Sequence, residues 1–220
     1  MVEMTQGEKM IMTGETTRQV LHVGCGHKSL QHLPPPFQDG SWAEIRLDID
    51  PKCAPDIIGT VVNMNGVAAG AVDAVFSSHN IEHVFPHEVE TVLGEFMRVL
   101  KPEGFAVITC PDLQCLGEAI AAGRLEAPLY TSPAGPIAPL DILYGHRASI
   151  ARGQTYMAHH GGFTRDTLSK ALERAGFAGV GVRPRREGSV NLWAVATKMR
   201  LPRERLVSML NDYTRHPKSV

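Results

Sequence analysis

Three groups of residues in this chain could do chemistry. The first is Gly24-Cys25-Gly26, which follows the apolar run RQVLHV (18–23). Glycine at such a turn lets the backbone come close to a ligand. The second is the pair Asp48 and Asp50, which closes another apolar run, AEIRLDI (43–49). Asp48 lies 24 residues beyond Gly24. A carboxylate at about that distance suits a ribose, because it accepts both hydrogens of a vicinal diol. Asp50 competes at nearly the same spacing, and one of the two serves as a turn cap. The third glycine of a GxGxxG loop is missing, since position 29 is Ser29. Pro34, Pro35 and Pro36 exclude a long helix after the loop. A pyrophosphate cradle is therefore not expected, and the pattern asks for a nucleoside with little or no phosphate. The third group is His79, His83 and His87, spaced every four residues. Imidazole serves either as a general base near neutral pH or as a metal ligand. Pro86 splits the run, and no metal is expected on it.

The elements that position these groups alternate between strands and helices. Val72–Ser77 reads as a strand, and Asp56–Val62 as a weaker one. Val89, Val92, Leu93, Phe96 and Leu100 give one apolar face to a helix over residues 86–100, with Pro86 in its first turn. Lys101–Gly104 reads as a stop and turn, followed by the strand Phe105–Cys110. Asp112 caps a short helix that ends at Gly123, and Thr164 caps another that ends at Gly176. Gly179–Arg183 and Val190–Thr197 make an antiparallel hairpin, and a tail helix follows Pro202 and frays by Pro217. Strands alternating with helices predict an α/β domain whose ligand sits at the carboxyl ends of the strands. Residues 124–162 break the pattern. Pro128, Pro133, Pro136 and Pro139 crowd the first part, and LDILYGHRASIARG holds one helix in the second. Loops of this length are usually functional or disordered.

Composition bounds the partners. Hydrophobic residues make up 43% and charged residues 20% of the 220 residues, which excludes bulk disorder. No run approaches the roughly 18 apolar residues of a membrane span, and the first ten residues lack a signal-peptide pattern. Cys25, Cys53, Cys110 and Cys115 form no CxxC pair, so reduced thiols in a cytoplasm are expected. The net charge of −1 hides an asymmetry: residues 1–110 carry 7 Lys+Arg against 14 Asp+Glu, and residues 111–220 carry 15 against 9. The basic half points to an anionic substrate or partner. Arg183, Arg185, Arg186, Arg200, Arg203 and Arg205 have few aromatic residues between them, so a nucleic-acid groove is not indicated.

Taken together, LHVGCG (21–26), LDIDP (47–51), VVNMNG (61–66), VDAVFSSHNIEHV (72–84), FMRVLKPEGFAVITCPD (96–112) and FTRDTLSKALERAGF (163–177) resemble the class I S-adenosyl-L-methionine-dependent methyltransferases. The resemblance covers residues 18–123 and 163–198. It implies a Rossmann-like, seven-stranded, mostly parallel sheet with a C-terminal antiparallel hairpin strand and helices on both faces. It implies one domain: a cofactor core at 18–123, a substrate cap at 124–162, the rest of the sheet at 163–200 and a tail helix at 201–220. It also implies cofactor contacts. Gly24, Cys25 and Gly26 wrap the methionine part, Asp48 with Ile49 and Asp50 holds the ribose, Asn63 and Met64 meet adenine, and Ser77, Ser78 and His79 border methionine and substrate. The chain departs from the pattern at His22, where the family places an acid; backbone carbonyls or water take over the cofactor's ammonium there.

Methyl transfer from a sulfonium needs alignment and, for an oxygen nucleophile, removal of a proton. His79 and His160 are the candidates for that step. Tyr144, His146, Arg147 and His159 in the cap are the candidates for binding a small acceptor, an anionic one included. His159-His160-Gly161-Gly162 could act as a lid hinge. Two other readings stay open, a dinucleotide-dependent oxidoreductase and a methyltransferase-fold module that binds without catalysis. The sequence also leaves the oligomeric state open, a homo-oligomer included.

Overall fold

The computed structural model describes residues 17–132, 135–185 and 189–214. Arg186, Pro217 and the first ten residues, on which three of the expectations above rest, lie outside them. One seven-stranded sheet organises the chain. Its strands are β1 (Arg18–Val23), β2 (Trp42–Asp48), β3 (Ile57–Ile58), β4 (Val72–Ser78), β5 (Leu100–Pro111), β8 (Gly179–Arg185) and β9 (Asn191–Thr197). The order across the sheet is β3-β2-β1-β4-β5-β9-β8. All neighbours are parallel except β9, which runs antiparallel to β5 and β8. This is the expected doubly wound sheet with a terminal hairpin. Strand order reverses between β1 and β4, and the carboxyl ends of the two strands flank the place where such sheets bind ligands.

Helices cover both faces, as expected. On one face α1 (Val89–Val99) and α5 (Arg165–Arg174) bury Val92, Leu93, Phe96, Leu168 and Leu172 against Leu21, Val23, Val75 and Ile108. On the other, α6 (Arg203–Tyr213) places Met209 and Tyr213 against Val20, Ala74, Phe76 and Val107. The segment after β1 forms only two short 3-10 turns, Leu30–His32 and Pro35–Phe37, because three prolines remove the N–H groups a helix would need. Phe37 at the end of that run offsets the missing helix. It is fully buried and contacts Trp42, Phe76, Phe105 and Tyr213.

Several boundaries differ from the sequence reading. Helix α1 starts at Val89 rather than Pro86, because Ile81–His83 takes a separate 3-10 turn and Phe85–Glu88 a further turn. Lys101–Gly104 does not end the element: β5 runs through it, and its pairing slips from Val72–Leu100 to Ala74–Phe105. The strand expected over 56–62 shrinks to Ile57–Ile58 at the sheet edge, since Thr60–Asn63 closes a turn. Asp112 and Thr164 do cap α2 (Leu113–Ala121) and α5 through the N–H groups of Gln114 and Thr167.

The inserted residues hold more structure than expected. A small hairpin, β6 (Tyr130–Ser132) with β7 (Gly135–Ile137), precedes two short helices, α3 (Pro139–Tyr144) and α4 (Arg147–Ala151). The single helix expected there is broken at Gly145, whose φ of +92° only glycine adopts easily. Gly145 lies against the Met157 carbonyl and pairs with Ala158. The insertion thus folds back on itself, and the N–H groups of His160 and Gly161 then bond the Glu82 carbonyl of the core.

Candidate active site

A cleft of about 620 Å³ opens at the carboxyl ends of β1, β2 and β4. Gly24 and Gly26 form its floor with φ of +60° and +53°. A Cβ at Gly24 would overlap the Asn80 amide, so glycine is required there by both angle and space. Asp48 is 8% exposed and holds the loop in place. Its Oδ2 accepts from the Gly26 N–H at 2.7 Å and its Oδ1 from the Asp50 N–H at 2.9 Å. Asp50 is the turn cap: its Oδ1 accepts from Lys52 N–H at 2.9 Å and its Oδ2 from the Tyr156 hydroxyl at 3.1 Å. The Lys52 N–H foremost, helped by Tyr156, holds the Asp50 carboxyl below its ordinary value. Arg46, which the sequence reading missed, staples the region by donating to the carbonyls of Gly26, Lys28, Cys53 and Ala54.

His22 also lines the cleft and is 1% exposed. Its Nδ1 lies 2.7 Å from Glu44 Oε1. The carboxylate that the family pattern places at position 22 is thus found one strand over, behind an imidazole. Parallel pairing of β1 with β2 makes this contact possible, and no sequence spacing announces it. Cys25 sits beside it, and burial pushes its thiol up to about 11.

The other expected residues divide. Ile49, Ser78 and His79 line the cleft with the residues above. Asn63, Met64 and Ser77 do not. Asn63 is exposed beyond the Thr60 turn, so Thr60, Val61 and Val62 face the cleft instead. Met64 is buried under α1, where Glu95 and Arg98 bind its backbone. Ser77 is fully buried within β4. From the insertion, Gln154, Tyr156, Met157 and His160 reach the cleft. Tyr144, His146, Arg147 and His159 do not: Tyr144 is 62% exposed, His146 bonds Ser149, and Arg147 pairs with Asp141 at 2.8 Å. His159 lies 2.7 Å from the Ile142 carbonyl through its Nδ1.

At the far end of the cleft, His79 has a φ of +51°, a conformation that costs about 1 kcal/mol or more for a residue with a side chain. Its Nδ1 lies 3.1 Å from Glu82 Oε1. Glu82 is only 1% exposed, and its other oxygen has no hydrogen-bond partner among the described residues. Burial alone would raise this carboxyl, but the bond to His79 and the charges of His79, His83 and His159 outweigh it and hold it below its ordinary value. His160 stacks on Phe85 at 4.1 Å between ring centres.

Comparison with known proteins agrees with this geometry. Residues 21–108 match the family model of a methyltransferase domain. No curated protein sequence matches the chain. Solved structures do. A SAM-dependent methyltransferase from Archaeoglobus fulgidus is 15% identical with a TM-score of 0.53, covering 84% of this chain and 87% of its own. One from Methanosarcina mazei gives 15% and 0.54, covering 84% and 93%. The 1,6-didemethyltoxoflavin-N1-methyltransferase of Burkholderia thailandensis, solved with S-adenosylhomocysteine, gives 16% and 0.50, covering 83% and 71%. The match to a methyltransferase domain covers residues 21–108, and the fold of the chain is that of the solved methyltransferases. The oxidoreductase alternative fails on its own requirement, since no helix opens after Gly26 to receive a pyrophosphate.

Proposed function

We propose that this chain is an S-adenosyl-L-methionine-dependent methyltransferase that acts on an oxygen of a small acceptor held between the end of β4 and the inserted cap. One observation carries the reading. A single cleft joins the glycine loop and Asp48 to His79, His160 and Tyr156, so cofactor and acceptor ends are continuous. Gly24, Cys25 and Gly26 wrap the methionine portion, and Asp48 meets the ribose with the acceptor capacity that its two backbone bonds leave over. Thr60, Val61 and Val62 meet adenine. His22 donates its Nδ1–H to Glu44, which leaves the Nε2 lone pair for the cofactor's ammonium.

The sulfonium supplies the electrophile when bound. The chain aligns the acceptor hydroxyl in line with it, and His79 or His160 takes the hydroxyl proton as the new bond forms. The cap's arginines contribute nothing to the cleft, so affinity for an anionic acceptor would rest on Lys28 and the imidazoles. Calorimetry with S-adenosylhomocysteine tests the cofactor half. Release of S-adenosylhomocysteine from S-adenosyl-L-methionine tests the acceptor half, using a panel of hydroxyl and amine compounds. Turnover of amines alone would overturn the oxygen assignment.

A further inference from the structure

Behind the cleft wall, ligand atoms of Glu82, His83 and His159 all lie within 4.8 Å of one another. Each is prepared for a cation. The Nδ1 of His83 lies 3.0 Å from the Ala158 carbonyl, and that of His159 lies 2.7 Å from the Ile142 carbonyl. A carbonyl only accepts, so both rings donate from Nδ1, and in the neutral form each offers its Nε2 lone pair to a cation. Imidazoles that bind metals are oriented in this way by backbone carbonyls. The two rings meet edge to face at 4.7 Å. Glu82 supplies charge: one oxygen is engaged by His79, and the other is buried without a hydrogen-bond partner among the described residues. A buried, unpaired carboxylate oxygen is costly unless a ligand satisfies it.

We propose that Glu82, His83 and His159 form a binding site for one divalent transition-metal ion, of which Zn²⁺ is the type. Two imidazole nitrogens and one carboxylate suit such an ion and fit poorly with Mg²⁺ or Ca²⁺, which take oxygen ligands. Bonds of about 2.0–2.2 Å place tetrahedral donors about 3.4 Å apart, so small side-chain rotations close the set. Three protein ligands leave a position open, and His83 is shared with the cleft wall, so the ion lies at the acceptor's end of the cleft. His159 comes from the cap and Glu82 and His83 from the core, so the ion also ties the two together.

The proposal does not depend on the methyl acceptor assigned above, and its test does not need turnover. Full-length protein is stripped with a chelator and titrated with Zn²⁺ and with Mg²⁺ by calorimetry, and metal content is measured by elemental analysis. One Zn²⁺ per chain, bound far more tightly than Mg²⁺, is expected. His159→Ala and Glu82→Gln should weaken Zn²⁺ binding by more than the roughly 10–100-fold that loss of a supporting partner costs. His87→Ala, outside the cluster, should leave it unchanged. Co²⁺ in place of Zn²⁺ should show the visible bands of a low-coordinate site, lost in His159→Ala. S-adenosylhomocysteine binding by each variant reports that it is folded. Wild-type protein that binds S-adenosylhomocysteine but no stoichiometric Zn²⁺ would overturn the metal site and leave the methyltransferase reading intact. Zn²⁺ binding undiminished in both ligand variants would overturn the assignment of these ligands.

Discussion

Asp48 is held at both oxygens by backbone N–H groups, so it positions the glycine loop in addition to the ribose contact proposed for it. Asp48→Ala leaves those two N–H groups without their acceptor, at about 1–3 kcal/mol for each one left unsatisfied in the folded protein. The expected outcome is a lower melting temperature and loss of S-adenosylhomocysteine binding, read by thermal denaturation and calorimetry. Glu44 holds the His22 ring, which the proposed function sets against the cofactor's ammonium. Glu44→Ala frees the imidazole to turn. It should weaken S-adenosylhomocysteine more than an analogue lacking the α-amino group; equal losses would place His22 elsewhere in the mechanism. With Cys25 pushed up to about 11 by burial, roughly one thiol in a thousand is ionised at pH 8. An ordinary thiol near 8.5 would be ionised in about one case in four. Alkylation of Cys25 at pH 8 should therefore be slow in the folded protein and speed up on unfolding, as peptide mapping by mass spectrometry would show.

The elements set how the cap meets the core. The break at Gly145 lets the Gly145–Ala158 bridge form, and the segment after it reaches the Glu82 carbonyl through His160 and Gly161. Gly145→Ala would force a Cβ into the Met157 carbonyl at a φ that alanine rarely adopts. Proteolytic cleavage within residues 145–158 should rise and methyl transfer should fall. S-adenosylhomocysteine affinity should change little, since most of its proposed contacts come from β1, β2 and the turns after them. A cap that stayed protease-resistant would sink this account.

Across the whole molecule, the face that lacks a helix after β1 depends on Phe37 and its ring contacts. Removing a fully buried phenylalanine costs about 3–5 kcal/mol. Phe37→Ala should lower stability by that amount in denaturant unfolding, a larger loss than for a residue at a mere proline-rich turn. The charge asymmetry between the halves also changes meaning at this scale. The lining residues of the second half are Gln154, Tyr156, Met157 and His160, without a lysine or arginine. Arg147 is held by Asp141, so among the described residues the cations of the second half stay out of the cleft. Among the described residues no helix is long and apolar enough to cross a membrane.

Periodicity and turn chemistry were enough to read the parallel sheet, the caps at Asp112 and Thr164, the absent helix after Gly26 and the glycine loop with Asp48. Each of these rests on neighbours in sequence, and local backbone preferences act over that range. The Thr60 turn that withdraws Asn63 from the cleft was also local, but a two-residue edge strand carries too weak a pattern to fix where it ends. The rest required the fold. Glu44 behind His22, Arg46 across the loop, and Glu82 beside His159 join residues from different strands or from core and cap. Those contacts depend on strand register and on how the insertion folds back, and packing of the whole chain determines both.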